Sequence, residues 1–155
     1  MDLADILAEH AVLYCTGVVE KRQLFKDLAV RAAELTGHPP SEIFDAIDGR
    51  ENLGSTGLGN GIAIPHGKLA GLQGVTALFA RLDQPIDFDA LDDQPVDLVI
   101  MLLAPTGAGA DHLKALSRVA RLLRTEAVVA ELRNTCDPHR LHAILTEPQA
   151  THYAA

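Results

Sequence analysis

His66 stands between Pro65 and Gly67 at the end of the segment GSTGLGNGIAIPHGKL, Gly54–Leu69, in which five of sixteen residues are glycine. Such a loop gives up chain entropy and adds little side-chain packing, so its composition points away from core stability and toward phosphate handling. The proline restricts the backbone on one side of the histidine, and the glycine leaves the ring uncovered on the other. A neutral imidazole presented in this way offers one free lone pair while a hydrogen bond fixes its second nitrogen. That arrangement suits a base, a metal ligand or a nucleophile. Two nucleotide-binding patterns fail on the same loop. Five residues, not four, separate Gly61 from Gly67, and Leu69 rather than Ser or Thr follows Lys68, so the Walker pattern is absent. A dinucleotide fingerprint begun at Gly57 and Gly59 meets Ile62 where its third glycine belongs, and a helical pattern rather than a strand precedes it.

Other polar groups carry weaker signals. His139 and His142 lie three apart near Asp137, a spacing that needs further ligands to hold a metal, and an exposed, partly packed last helix explains it better. Asp87, Asp89, Asp92, Asp93 and Asp97 lack the glycine and terminal glutamate of a calcium loop and fit a solvated turn between strands. Cys15 and Cys136 have neither a disulfide framework nor a zinc spacing and are expected as reduced, structural thiols. The formal charge of -8, without a dense Lys/Arg block, argues against nucleic acid and anionic membranes and favours a basic docking partner. The longest apolar run, Leu98–Ala104, is far too short to span a bilayer, and Asp2 and Asp5 sit where an export signal would carry positive charge, so a cytoplasmic address is expected.

The elements that must position His66 can be read from periodicity. Leu24, Leu28, Ala32 and Leu35 recur at helical spacing over 23–35, stopped by Gly37, Pro39 and Pro40. Ser41 is a plausible N-cap for a shorter helix carrying Ile43, Phe44 and Ile47 and ending near Gly49. Strands are expected at 62–65, 75–82 and 96–103. The third is apolar on both faces and so should be covered on both. The link between the first two is too short for a helical crossover, which makes part of the sheet antiparallel. A helix over 110–124 should set Leu113, Leu116, Ala120 and Leu123 on one stripe with Lys114, Arg118 and Arg121 roughly opposite, and EAVVAEL and PHRLHAIL read as two more helices. The fold class expected is a single-domain α/β/α sandwich with a mixed sheet of four to five strands, spanning residues 1–147, with 148–155 a loose tail.

The stretch RENLGSTGLGNGIAIPHGKL, with FDALDDQPVDLVIMLLAP and HLKALSRVARLL, closely resembles the nitrogen-regulatory enzyme IIA proteins of the bacterial phosphotransferase system, relatives of the mannitol and fructose IIA domains. The likeness covers nearly the whole chain beyond about residue 20 and is weaker in the last dozen residues. It implies that His66 of the PHG motif accepts a phosphoryl group from the phosphohistidine of a small HPr-like carrier. His112 and Arg50 are then placed close to the phosphorylated ring, and no cofactor or metal is required. Such a site mainly aligns the nucleophile and supplies donors. Arg50 offers a planar fork, the glycine loop offers backbone N–H groups, and a helix N-terminus at His112 favours both an anion and a neutral ring.

Donor and acceptor rings must meet in line, so the rim of His66 is expected to be flat and apolar, with Leu58, Ile62, Leu69 and Leu72 available to form it. Asn52 stands where many relatives carry lysine, and Lys114 with Arg118 makes the helix beyond His112 unusually basic. The resemblance favours a phosphoryl relay that signals its occupancy to regulatory target proteins. The rivals are a sugar-specific IIA passing phosphate to a IIB component and a partner-binding module that needs no transfer.

Overall fold

The computed structural model describes residues 2–147. The tail expected from residue 148 lies outside the described residues. β6, Val96–Pro105, is the axis of the molecule, and each residue from Leu98 to Ala104 is no more than 1 % exposed, so both faces of the strand are covered. It pairs antiparallel with β5, Thr76–Ile86, on one side. On the other it pairs in parallel with β3, Ile62–Ala63, and then with β4, His66–Leu69. β1, Val12–Cys15, adds to β5 in parallel, and β2, Gly57–Gly59, closes on β3 as an antiparallel hairpin. The sheet is therefore mixed and flanked by helices, as the periodicity implied, but among the described residues has six strands rather than four to five.

Several expectations are corrected. The segment expected as one strand over 62–65 is split, because Pro65 has no N–H to donate and interrupts the ladder before His66 opens β4. The first two expected strands do not pair with each other; the antiparallel pairs are β5 with β6 and β2 with β3. β1 and β2 escaped the pattern search because each is short and lacks alternation, β2 being the tripeptide Gly57–Gly59.

α1, Lys21–Thr36, ends as expected at Gly37, whose φ of 78° closes the helix with an N–H bond to the Ala33 carbonyl. α2, Pro40–Glu51, begins one residue before the expected cap Ser41, since Pro40 is preset for the first helical turn and needs no donor there. It also runs two residues past Gly49, which puts Arg50 inside its last turn rather than beyond its end. α3, Gly109–Leu123, buries His112, Ala115, Val119 and Leu122, a stripe displaced from the one expected; Leu113 is 66 % exposed and only Leu123 of the expected set is fully buried. The reason lies in the packing: α3 meets β6, whose apolar surface reaches the flank of the helix that carries His112. α4, Glu126–Arg133, and α5, Pro138–Thr146, follow the two expected segments. α1 and α2 pack on each other and α2 on β4, while α3, α4 and α5 follow one another in contact, with α5 against β1.

The contact between α2 and β4 requires Gly67. A Cβ at this position would lie 3.1 Å from the backbone carbon and oxygen of Ala46, atoms that the helix cannot move cheaply. Gly67→Ala should lower stability by about 1–3 kcal/mol, read as a lower urea midpoint at unchanged slope.

Candidate functional site

His66 is placed by three constraints that act on adjacent residues. The Leu102 N–H donates to the Pro65 carbonyl at 3.0 Å, and His66 itself lies opposite Leu102 in the β4–β6 register. Gly67 then lets α2 approach. The ring is tied locally as well, with Nδ1 2.8 Å from the Ile64 carbonyl oxygen. A carbonyl only accepts, so Nδ1 must carry the proton and Nε2 keeps the lone pair. Half-buried, the ring faces His112 in an edge-to-face arrangement with centroids 5.5 Å apart. Of the site residues expected from sequence, these two are brought into contact.

Arg50 reaches the same neighbourhood from the end of α2. Its Nη1 donates to the Gly54 carbonyl at 3.0 Å, which ties the start of the glycine loop to the helix, and its charge acts on His66. The remaining guanidinium donors are free for a ligand among the described contacts. His112 enters in the first turn of α3 and its N–H bonds to the Ala108 carbonyl. Its Nδ1 is buried with no hydrogen-bond partner among the described residues. The tautomer protonated at Nε2 avoids burying an unpaired N–H, so this ring suits the role of a donor.

Sequence reasoning missed the support beneath the loop. Glu51, buried beside Arg50 in the chain, accepts from the Thr56 N–H at 3.0 Å and the Thr56 hydroxyl at 2.7 Å, and pairs with Lys21 Nζ at 2.8 Å. Lys21 also donates to the Phe88 carbonyl and lies over the Phe88 ring, 4.4 Å from its centre. A buried carboxylate with this many donors holds α1, α2 and the glycine loop in one arrangement. Its one sequence signal was a carboxylate adjoining Arg50 ahead of a Ser-Thr pair.

Both rings titrate below the ordinary histidine value of 6.5. For His66 the leading cause is burial, which disfavours the cation; Arg50 lowers it further, opposed by the bond to Ile64 and the charge of Glu51. For His112 the cause is again burial first, then the charges of His66 and Lys68. At neutral pH both rings are therefore uncharged.

The expected apolar rim is only partly present. Ile62 and Leu69 are 4 % and 2 % exposed and belong to the core, Leu72 is half-buried, and Leu58 alone is clearly exposed. Leu53, three residues beyond Arg50, and Leu113, which follows His112, are exposed and were not expected in the rim. The acidic turn is more than solvated surface. Asp92 accepts from the Asn60 N–H and Asp97 pairs with Arg133, whose Nη2 also donates to the Asn60 carbonyl at 2.6 Å, so both carboxylates brace the β2–β3 hairpin. His142 is used structurally, with Nε2 3.0 Å from the Leu7 carbonyl oxygen, and His139 is exposed. No helix among the described residues is long and apolar enough to cross a membrane.

A mixed sheet presents a neutral histidine with a free Nε2 beside a second histidine and within the field of an arginine, a set with the nucleophile and donors that group transfer to nitrogen requires. Residues 5–147 match the family described as phosphoenolpyruvate-dependent sugar phosphotransferase system, EIIA 2. The nitrogen regulatory protein of Bradyrhizobium diazoefficiens is 50% identical over 151 residues, covering 97% of this chain and 99% of that protein. That of Escherichia coli is 40% identical over 141 residues, covering 90% and 84%. The crystal structure of nitrogen regulatory protein IIA-Ntr from Neisseria meningitidis superposes with a TM-score of 0.86 at 36% identity, covering 93% of this chain and 99% of that one. The chain thus belongs to the EIIA type-2 family, as a phosphotransferase component. Within the family its likeness is to the nitrogen-regulatory members.

The lowered histidine values carry a sign. The unfolded chain binds more protons than the folded one just below pH 6.5, so the stability contributed by the neutral rings is complete above that pH and is lost as pH falls toward the folded values. NMR titration should give midpoints below 6.5 for both rings, and Arg50→Ala should move the His66 midpoint upward.

Proposed function

We propose that His66 Nε2 is loaded with a phosphoryl group by a phosphohistidine of an HPr-like carrier, and that the loaded fraction signals to regulatory target proteins. The observation that carries this reading is the 2.8 Å contact between Nδ1 and the Ile64 carbonyl, which leaves the lone pair on the other nitrogen. In the transfer the Nε2–P bond forms as the donor's N–P bond breaks, and the donor imidazole takes back its electron pair. No proton need leave His66, because its proton stays on Nδ1 with Ile64. The transition state is loose, with charge on three equatorial oxygens, so catalysis is mostly alignment and electrostatic stabilisation. Arg50 and His112 are the donors proposed for those oxygens. The regulatory reading is favoured over sugar uptake by the nitrogen-regulatory relatives; onward transfer to a IIB component would reverse that preference.

Incubation with the phosphorylated carrier should give an acid-labile, alkali-stable phosphate, assigned to Nε2 by phosphorus NMR and absent in His66→Ala. Label persisting in that variant refutes the assignment. Arg50→Ala and His112→Ala should each slow loading by about 100-fold, the usual effect of removing one donor to a transition-state charge. Because His66 titrates below 6.5, the pH at which protonation of His66 halves the loading rate should lie below 6.5.

A further inference from the structure

Residues 112–125, HLKALSRVARLLRT, hold four cations and no carboxylate, in a chain whose Asp and Glu outnumber Lys and Arg by 21 to 13. The cations are Lys114, Arg118, Arg121 and Arg124, spaced by four, three and three, so they lie along one face of α3 and its C-terminal cap. The face extends over about 15 Å at 1.5 Å per residue. Folding does not call for this stripe. Each successive pair places like charges one turn apart, which costs a few tenths of a kcal/mol, and the helix dipole favours cations in the last turn but not at Lys114 in the first half. Among the described residues the only ion pair on the stripe is Arg118 with the exposed Asp2 at 3.8 Å, a distance worth little in water.

The surface around the stripe is concave. One hollow of about 370 Å³ lies between Leu113 and Arg121, and a second of about 590 Å³ runs from Leu116 to Thr125; Ser117 and Arg121 line both. Arg124 then joins the second to a third, of about 600 Å³, which ends on Leu58 of the β2–β3 hairpin and holds Glu126 as its one acidic lining residue. Shallow hollows therefore lie between the side chains along α3, with exposed Leu113 at one end, half-exposed Leu116 and Ala120 along them, and a cation about once per turn.

We propose that this face of α3 docks an acidic, amphipathic helical segment of a partner protein, with its carboxylates on Lys114, Arg118 and Arg121 and its apolar side chains on Leu113 and Leu116. Two features select a protein segment over other polyanions. The cations are confined to one helix face of a chain with net charge -8, which repels an extended polyanion at distances where a short segment already makes contact. Leucine and alanine interleave with the cations, offering an apolar component that a phosphate backbone or a headgroup layer cannot use. The stripe contains none of the residues proposed to handle phosphate, so docking here and loading of His66 are separable.

The test uses the full chain and three labelled peptides of about 20 residues, a length that can hold a helix. One has glutamates at i, i+4 and i+7 and leucines along the adjoining stripe of the same face; one has lysine for each glutamate; one is a scramble of the first. Fluorescence anisotropy should show binding of the glutamate peptide alone, weakened when ionic strength rises from about 0.05 M to about 0.5 M. The double variant Arg118→Glu with Arg121→Glu should weaken it at least about tenfold, and the milder Arg118→Gln with Arg121→Gln should weaken it less, with unchanged circular dichroism. Amide shifts on binding should fall along 113–125, and His66→Ala should bind as the parent does. The proposal is overturned if the lysine peptide or the scramble binds equally well, if the variants bind unchanged, or if the shifts map elsewhere. It is also overturned if a DNA oligonucleotide or phosphatidylglycerol vesicles bind more tightly than the peptide.

Discussion

The hydrogen bond from His66 Nδ1 to the Ile64 carbonyl organises everything chemical about the site, because it decides which ring nitrogen carries a lone pair and which way the ring points. That bond spans Pro65, joining the residues on either side of it. Pro65, unable to donate, breaks the parallel strand into β3 and β4, yet its own carbonyl still accepts from Leu102, so the break is held against the central strand.

A second constraint follows from the first. With His66 opening β4, the next residue faces α2, and the absence of a side chain at Gly67 sets how near that helix comes. The end of α2 carries two opposite charges in succession. Arg50 faces the loop and His66, while Glu51 is buried on Thr56 and Lys21. The carboxylate is satisfied on every side by donors, so it fixes the loop and only partly offsets the effect of Arg50 on the imidazole. The outcome is a ring kept neutral chiefly by burial in a place where a guanidinium attracts anions.

Much of this was legible before any coordinates. The PHG triplet, its glycine loop, the apolar strand Val96–Pro105 and the helices following it carry strong local signals, since a period or a proline states its own geometry. The hairpin of β2 and β3 was missed although Asn60 and Gly61, with φ of 57° and 81°, form the two-residue turn that an Asn-Gly pair favours. Its strands are too short and too rich in glycine to show alternation. The buried stripe of α3 was misjudged for a different reason. Leu113 and Leu116 look more apolar than His112 and Ala115, but α3 turns the flank carrying His112 and Ala115 inward.

The sequence by itself determined the fold class, the identity of the presented histidine and the absence of nucleotide-loop patterns, because periodicity, prolines and residue spacing act over a few neighbours. Tertiary structure alone decided the tautomer of His66, its pairing with His112, the clamp of Arg50 on Gly54 and the burial of Glu51. His66 meets His112, and Glu51 meets Lys21, only because distant segments are packed together, while the short contacts to Ile64, Gly54 and Thr56 need a backbone path that the packing of α2, β4 and β6 holds. The energy of such contacts is set by distance and desolvation, which no local pattern of residues encodes.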